Sequence, residues 1–95
     1  MTEIFEQELQ EIIFYLEFYL KEPITARRLY KLIIDSVSKL DYFPEGYFKI
    51  NNSKNLNLHR ILVNNYIIIY NVNRSKKEIY ISHIFHNTQN YLNLL

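Results

Sequence analysis

A chain of 95 residues with 48% hydrophobic content closes one small core and has no material for a second domain. Its formal net charge of +1 argues against non-specific nucleic-acid binding by bulk electrostatics, and 0 Cys excludes disulfides and thiolate chemistry. No segment has the uninterrupted apolar length that spans a bilayer, and the acidic opening MTEIFEQELQ is the reverse of a secretory signal, so a soluble cytoplasmic protein with no membrane partner is expected.

From Thr2 to about Leu20, Phe5, Leu9, Ile12, Ile13, Leu16 and Leu20 recur at helical spacing, while Glu3, Glu6, Glu8, Glu11 and Glu17 fall largely off that stripe. The pattern predicts an amphipathic helix with an acidic outer face, capped by Thr2. Lys21-Glu22-Pro23 breaks it, and Pro23 suits the first turn of a following helix. So short a connector forces an antiparallel helical hairpin. The second helix follows the stripe Ala26, Leu29, Tyr30, Ile33, Val37 and Leu40, is made basic by Arg27, Arg28, Lys31 and Lys39, and stops before Pro44-Glu45-Gly46. Tyr47 to Ile50 is a short strand candidate, and NNSKNLN after it reads as a loop. Leu58 to Val63, Tyr66 to Val72 and Glu78 to Phe85 then predict three strands of an antiparallel meander. Asn64-Asn65 supplies the tight turn, where Asn tolerates positive φ, and Asn73 to Lys77 a looser one. Helix, helix, then sheet is an α+β order, with the helical hairpin packed on one face of a small, mainly antiparallel sheet, the other face partly open, and a short C-terminal tail.

Generic enzyme motifs are missing: there is no Gly-rich phosphate loop, nucleophile elbow or paired metal ligands, and no cofactor is implied. His83 and His86 are three apart, which on a strand places them on opposite faces and unfits them for one metal. The polar groups that remain, Lys49, His59, Arg60, His83, His86, Gln89 and Tyr91, gather on the strands and their C-terminal exit. Arg, His and Tyr on an open sheet face would grip phosphate and move a proton in phosphodiester chemistry. Each also has a plainer role. Arg60 can cap the sheet with a solvated guanidinium, His59 and His83 can be half-buried strand residues, and Tyr91 can anchor the tail. His86 stands where a strand ends, a usual place for site residues. Tyr66 and Tyr70 read as packed aromatics.

The segments ELQEIIFYLEFYL, PITARRLYKLIIDSVSKLDYFPE, HRILVNNYIIIYNV and EIYISHIFHNTQNYLNLL, in that order, resemble the RelE/ParE superfamily of toxins from bacterial type II toxin-antitoxin modules. The likeness covers nearly the whole chain. It implies a growth inhibitor of the kind involved in plasmid stabilisation, neutralised by a cognate antitoxin whose complex with it reaches operator DNA. Two mechanisms occur in the superfamily: cleavage of mRNA in the ribosomal A site, and inhibition of DNA gyrase. Arg60, His86 and Tyr91 are the catalytic candidates if the chain is a ribonuclease, with Lys49, His83 and Gln89 as target-binding candidates and Glu45 a weaker candidate base. The chain departs from the ribonuclease pattern. Ile67 stands where an Arg is common, and Asn87, Thr88 and Gln89 replace basic residues after the last strand, which tilts the expectation toward gyrase. A non-toxic, decayed or antitoxin-like binding module is the third reading. Members of the superfamily usually open with a strand, whereas this sequence begins almost directly with the helix, so either the strand is lost or the true start lies upstream. Loss of the strand would leave a sheet edge that invites an antitoxin strand or a second copy, making a homodimer conceivable.

Overall fold

A computed structural model describes residues 1–41, 58–73 and 75–88. The strand expected at Tyr47 to Ile50, the Pro44-Glu45-Gly46 break, and Lys49, Gln89 and Tyr91 lie outside the described residues. Helix α1 spans Glu3–Phe14 and continues into a π-helical turn, Tyr15–Tyr19; α2 spans Pro23–Ser38, followed by a short 3-10 turn, Lys39–Asp41. Strands β1 (Leu58–Val63), β2 (Tyr66–Asn73) and β3 (Glu78–His86) form one antiparallel sheet in the order β1-β2-β3. The predicted α+β arrangement of a helix pair on a three-strand meander is therefore what the chain adopts.

Each element starts for a local reason. The Thr2 hydroxyl accepts from the Phe5 N–H at 3.2 Å and closes the first turn of α1 as an N-cap, with Glu3 and Glu6 near the positive end of the helix dipole. Pro23 occupies the first position of α2, where its missing N–H costs nothing. Between the helices Lys21 takes φ 56°, a left-handed residue that reverses the chain, and the Glu22 N–H returns to the Leu16 carbonyl at 2.8 Å.

One stretch of the predicted first helix behaves differently. In the π turn the Leu20 N–H reaches back to the Tyr15 carbonyl, five residues earlier, at 3.0 Å. That wider turn rotates the residues after it away from the apolar stripe. Leu16 is buried as predicted, whereas Leu20, placed on the stripe by spacing alone, is 46% exposed.

The core lies between the hairpin and one face of the sheet. Phe5, Ile33, Ile68 and Tyr70 are fully enclosed there, joined by Leu9, Leu29, Ile61 and Ile84. Removing a side chain of this size from water contributes about 1.5–3 kcal/mol. On the opposite face a smaller cluster, Leu58, Ile67, Ile69 and Phe85, is also buried, while Leu62 beside it is 56% exposed and Arg60 and His83 are half-buried, so among the described residues this face is partly open.

The hairpin turn between β1 and β2 has positive φ at Asn64 (51°) but not at Asn65, the pattern of the II′ class among the primed turns. After β2, the Asn73 side chain accepts from the Lys76 N–H at 3.2 Å, and Lys77 takes φ 53° before β3 begins. The β2–β3 register slips by one residue: Ile69 faces His83 while Tyr70 faces Ile81, leaving Ser82 as a bulge.

The outer edge of β3 is not left bare beside this bulge. The Thr2 N–H and hydroxyl both donate to the Ile81 carbonyl, at 3.1 and 2.8 Å, and the Glu8 carboxylate accepts from the Ile84 N–H at 3.3 Å. The start of α1 thus satisfies part of the edge that a preceding strand would have paired.

Candidate functional site

Backbone pairing determines which polar side chains of the sheet share a face. Arg60 pairs with Ile69, and Ile69 with His83, so these three form one row across the sheet on the face of the smaller cluster. His86 pairs with Tyr66, whose ring packs against the main core, so His86 belongs to the helix-side face. Arg60 and His86, named together for phosphodiester chemistry, therefore project from opposite faces. His83 and His86 are likewise on opposite faces, as their spacing predicted, because the bulge at Ser82 precedes both.

Around His86 a cleft of about 390 Å³ opens between α1 and the ends of β2 and β3, lined among others by Glu8, Glu11, Tyr15, Tyr66 and Ile84. The Tyr66 and His86 rings meet edge to face, centroids 5.3 Å apart and planes at 87°. The His86 Nδ1 lies 2.8 Å from the Thr88 hydroxyl, and the Thr88 backbone N–H donates to the same nitrogen at 3.3 Å. A backbone donor leaves Nδ1 only the acceptor role, so neutral His86 carries its proton on Nε2. The exit of β3 is pinned as well, because the Asn87 N–H donates to the Asn65 carbonyl at 2.8 Å and ties it to the β1–β2 turn. Burial in this cleft, and then the neighbouring Tyr15, raises the Tyr66 hydroxyl above its usual pKa of 10.0.

His83 is held from the other side of the strand edge. Its Nδ1 lies 3.2 Å from the Glu8 carboxylate, which already accepts from the Ile84 N–H, and its ring stacks on Phe85 at 5.2 Å. A carboxylate accepts only, so Nδ1 is the donor and the imidazole is oriented by Glu8. Arg60 is half-buried, while His59, 6% exposed, stacks on Tyr70 at 5.2 Å inside the core with no partner for its Nδ1 among the described residues. Tyr70 is fully buried, and Tyr66 is packed at the rim, so both are the packed aromatics that the strand pattern predicted.

Two residues were invisible to the sequence reading. Glu8 looked like one acid among five on a solvated helix face, yet it alone reaches β3. Thr88 looked like a lost cation, yet it fixes the His86 ring. No local pattern distinguishes Glu8 from the other acids of α1, because its partners, His83 and Ile84, lie on β3.

Chemically, the cleft offers two carboxylates, one imidazole and two phenols, and no Lys or Arg among the described residues. Carboxylates repel a scissile phosphate, and no described cation offsets them. The described residues contain no cluster of three potential metal ligands and no helix long and apolar enough to cross a membrane.

A comparison with curated proteins finds no match. The family model described as the ParE toxin of the type II toxin-antitoxin system parDE matches residues 1–91, both helices, all three strands and the His86 cleft included. The chain belongs to the ParE toxin family of type II toxin-antitoxin systems.

Proposed function

We propose that the chain arrests growth in the cytoplasm by inhibiting DNA gyrase, without cutting RNA, and that a cognate antitoxin relieves the arrest. A cognate antitoxin partner follows from membership of the family. The gyrase target is supported by one observation above the others: Arg60 and His86 lie on opposite faces of the sheet, so a phosphate gripped by one is beyond the reach of the other. Ribonuclease chemistry needs cation and proton carrier at the same phosphorus, in hydrogen-bond range of the reacting atoms. The acidic lining of the cleft supports the same reading, since it suits protein recognition better than an RNA backbone.

Induction of the chain alone in cells provides the test, with growth, transcript integrity and the DNA-damage response followed together. The expected outcome is growth arrest with a damage response and whole transcripts, unchanged by Arg60→Ala combined with His86→Ala. Cut transcripts in translated regions, relieved by either substitution, would overturn the proposal in favour of a ribosome-dependent nuclease. Unimpeded growth would overturn it in favour of a decayed binding module.

A further inference from the structure

The outer surface of the helical hairpin is apolar at its centre and charged with opposite signs along its two rims. Phe14 and Phe18 are 62% and 64% exposed, their rings tilted against one another with centroids 4.7 Å apart. Tyr30 of α2, 49% exposed, faces them across a shallow groove of about 220 Å³ lined also by Ile13 and Glu17. The π turn that carries Leu20 off the core also belongs to this surface, since Phe18 lies within it. An apolar surface of this kind on a small soluble molecule marks a binding face.

The charged rims point to one occupant. On α1, Glu3, Glu6, Gln10 and Glu17 follow one another at spacings of three, four and seven, which keeps them on the groove side of the helix. On α2, Arg27 precedes Tyr30 by three positions and Lys31 follows Arg27 by four, so both border the groove from the other side. None of these acids or bases forms an ion pair among the described residues, where the ion pair is His83 with Glu8. The face thus holds both halves of an electrostatic match and satisfies neither by itself.

We infer that this face binds the same face of a second copy of the chain, about a twofold axis running parallel to the helices. Such an axis sets α1 of each copy against α2 of the other, antiparallel, as in a four-helix bundle. Glu17 of one copy then faces Arg27 and Lys31 of the other, and the Phe14, Phe18 and Tyr30 rings of both copies close over the groove. The other twofold, perpendicular to the helices, lays acid on acid and base on base and is disfavoured. The size suits a micromolar association. Sixteen residues of α2 at ~1.5 Å each and a hairpin roughly 20 Å wide give on the order of 500 Å² per copy, the size of a weak, reversible interface. This interface is separate from the β3 edge, through which strand pairing would occur, and so is independent of the proposed target.

Analytical ultracentrifugation of the full chain from about 1 to 100 μM tests this, with far-ultraviolet circular dichroism reporting that each variant keeps its helices. The expected result is a reversible dimer with a Kd of about micromolar, weakened more than about 30-fold by Phe18→Glu at the exposed centre of the face. Glu17→Arg and Arg27→Glu each weaken it roughly 10-fold, and the two combined in one chain restore it to within about 3-fold, because every reversed charge meets a reversed partner. A folded chain that is monomeric at about 100 μM overturns the inference, and so does a dimer indifferent to Phe18→Glu or a double variant no better than the singles. A monomeric chain whose Phe18→Glu variant loses its antitoxin would overturn it too, and would assign the face to the antitoxin.

Discussion

The two faces of the sheet are made by the same three strands, yet they have different chemical resources. The helix-side face is roofed by the hairpin and opens at its end, where Glu8, Glu11, Tyr66 and His86 line an acidic cleft. The far face carries Arg60 and His83 around a small apolar cluster. Strict alternation along a strand is the cause. Residues an odd number of positions apart on a regular strand point away from one another, and pairing transmits that parity to the neighbouring strands. A set of polar residues that looks concentrated in the sequence can therefore be divided in space, and here the division separates Arg60 from His86 while His83 stays on the Arg60 face.

The largest difference between the faces is in stability. Phe5→Ala removes a fully enclosed ring beneath the helical roof and is expected to cost about 3–5 kcal/mol, whereas Ile69→Ala, in a cluster of four residues, costs about 2–4 kcal/mol. Denaturant unfolding of the two variants checks the ranking, and a greater loss at Ile69 would move the main core to the far face. Next in size, Thr2→Ala removes an N-cap and a hydroxyl bond to the β3 edge together, with an expected loss of about 1–2 kcal/mol. Backbone hydrogen exchange should show the loss concentrated at Ile81 to Ile84, where α1 covers the strand edge.

How far these differences were legible in the letters varies with their physical origin. The helical hairpin, the meander and both turns were readable because apolar spacing, Pro23, Asn64-Asn65 and Asn73 each act within a few residues. The separation of His83 from His86 was readable for the same reason. The opposition of Arg60 to His86 was not, since it depends on the pairing register across two strand interfaces and on the bulge at Ser82, which no local pattern announces. The π turn escaped for a comparable reason: YLEFY continues a helical sequence, and only the Leu20-to-Tyr15 hydrogen bond distinguishes the wider turn. Glu8 and Thr88 gained their roles from partners 76 positions and 2 positions away respectively, the first invisible to any periodicity.

Smaller effects sharpen the contrast at the cleft. Tyr66 ionises above its usual pKa in the folded chain, so the folded state favours the neutral phenol. That preference is without cost below pH ~10 and turns against folding as the pH rises through the unfolded and then the folded pKa. Thermal unfolding should accordingly show a loss of stability above pH ~10 that is smaller in Tyr66→Phe; an identical loss would place Tyr66 in water. Smallest of all, Glu8→Gln keeps an acceptor for the Ile84 N–H but removes the charge facing His83. Because both side chains are about a quarter exposed, the expected loss is below about 1 kcal/mol, read most clearly as a shift in the His83 ring signals by nuclear magnetic resonance.

The division between the two faces leads to a specific demand on the target. Purified gyrase supercoiling relaxed plasmid, titrated with the purified chain, tests it most directly: inhibition should rise with toxin concentration, be reversed by the antitoxin, and be undiminished by the Arg60→Ala/His86→Ala double variant. Unimpaired supercoiling at a concentration of chain that arrests growth in cells would contradict it.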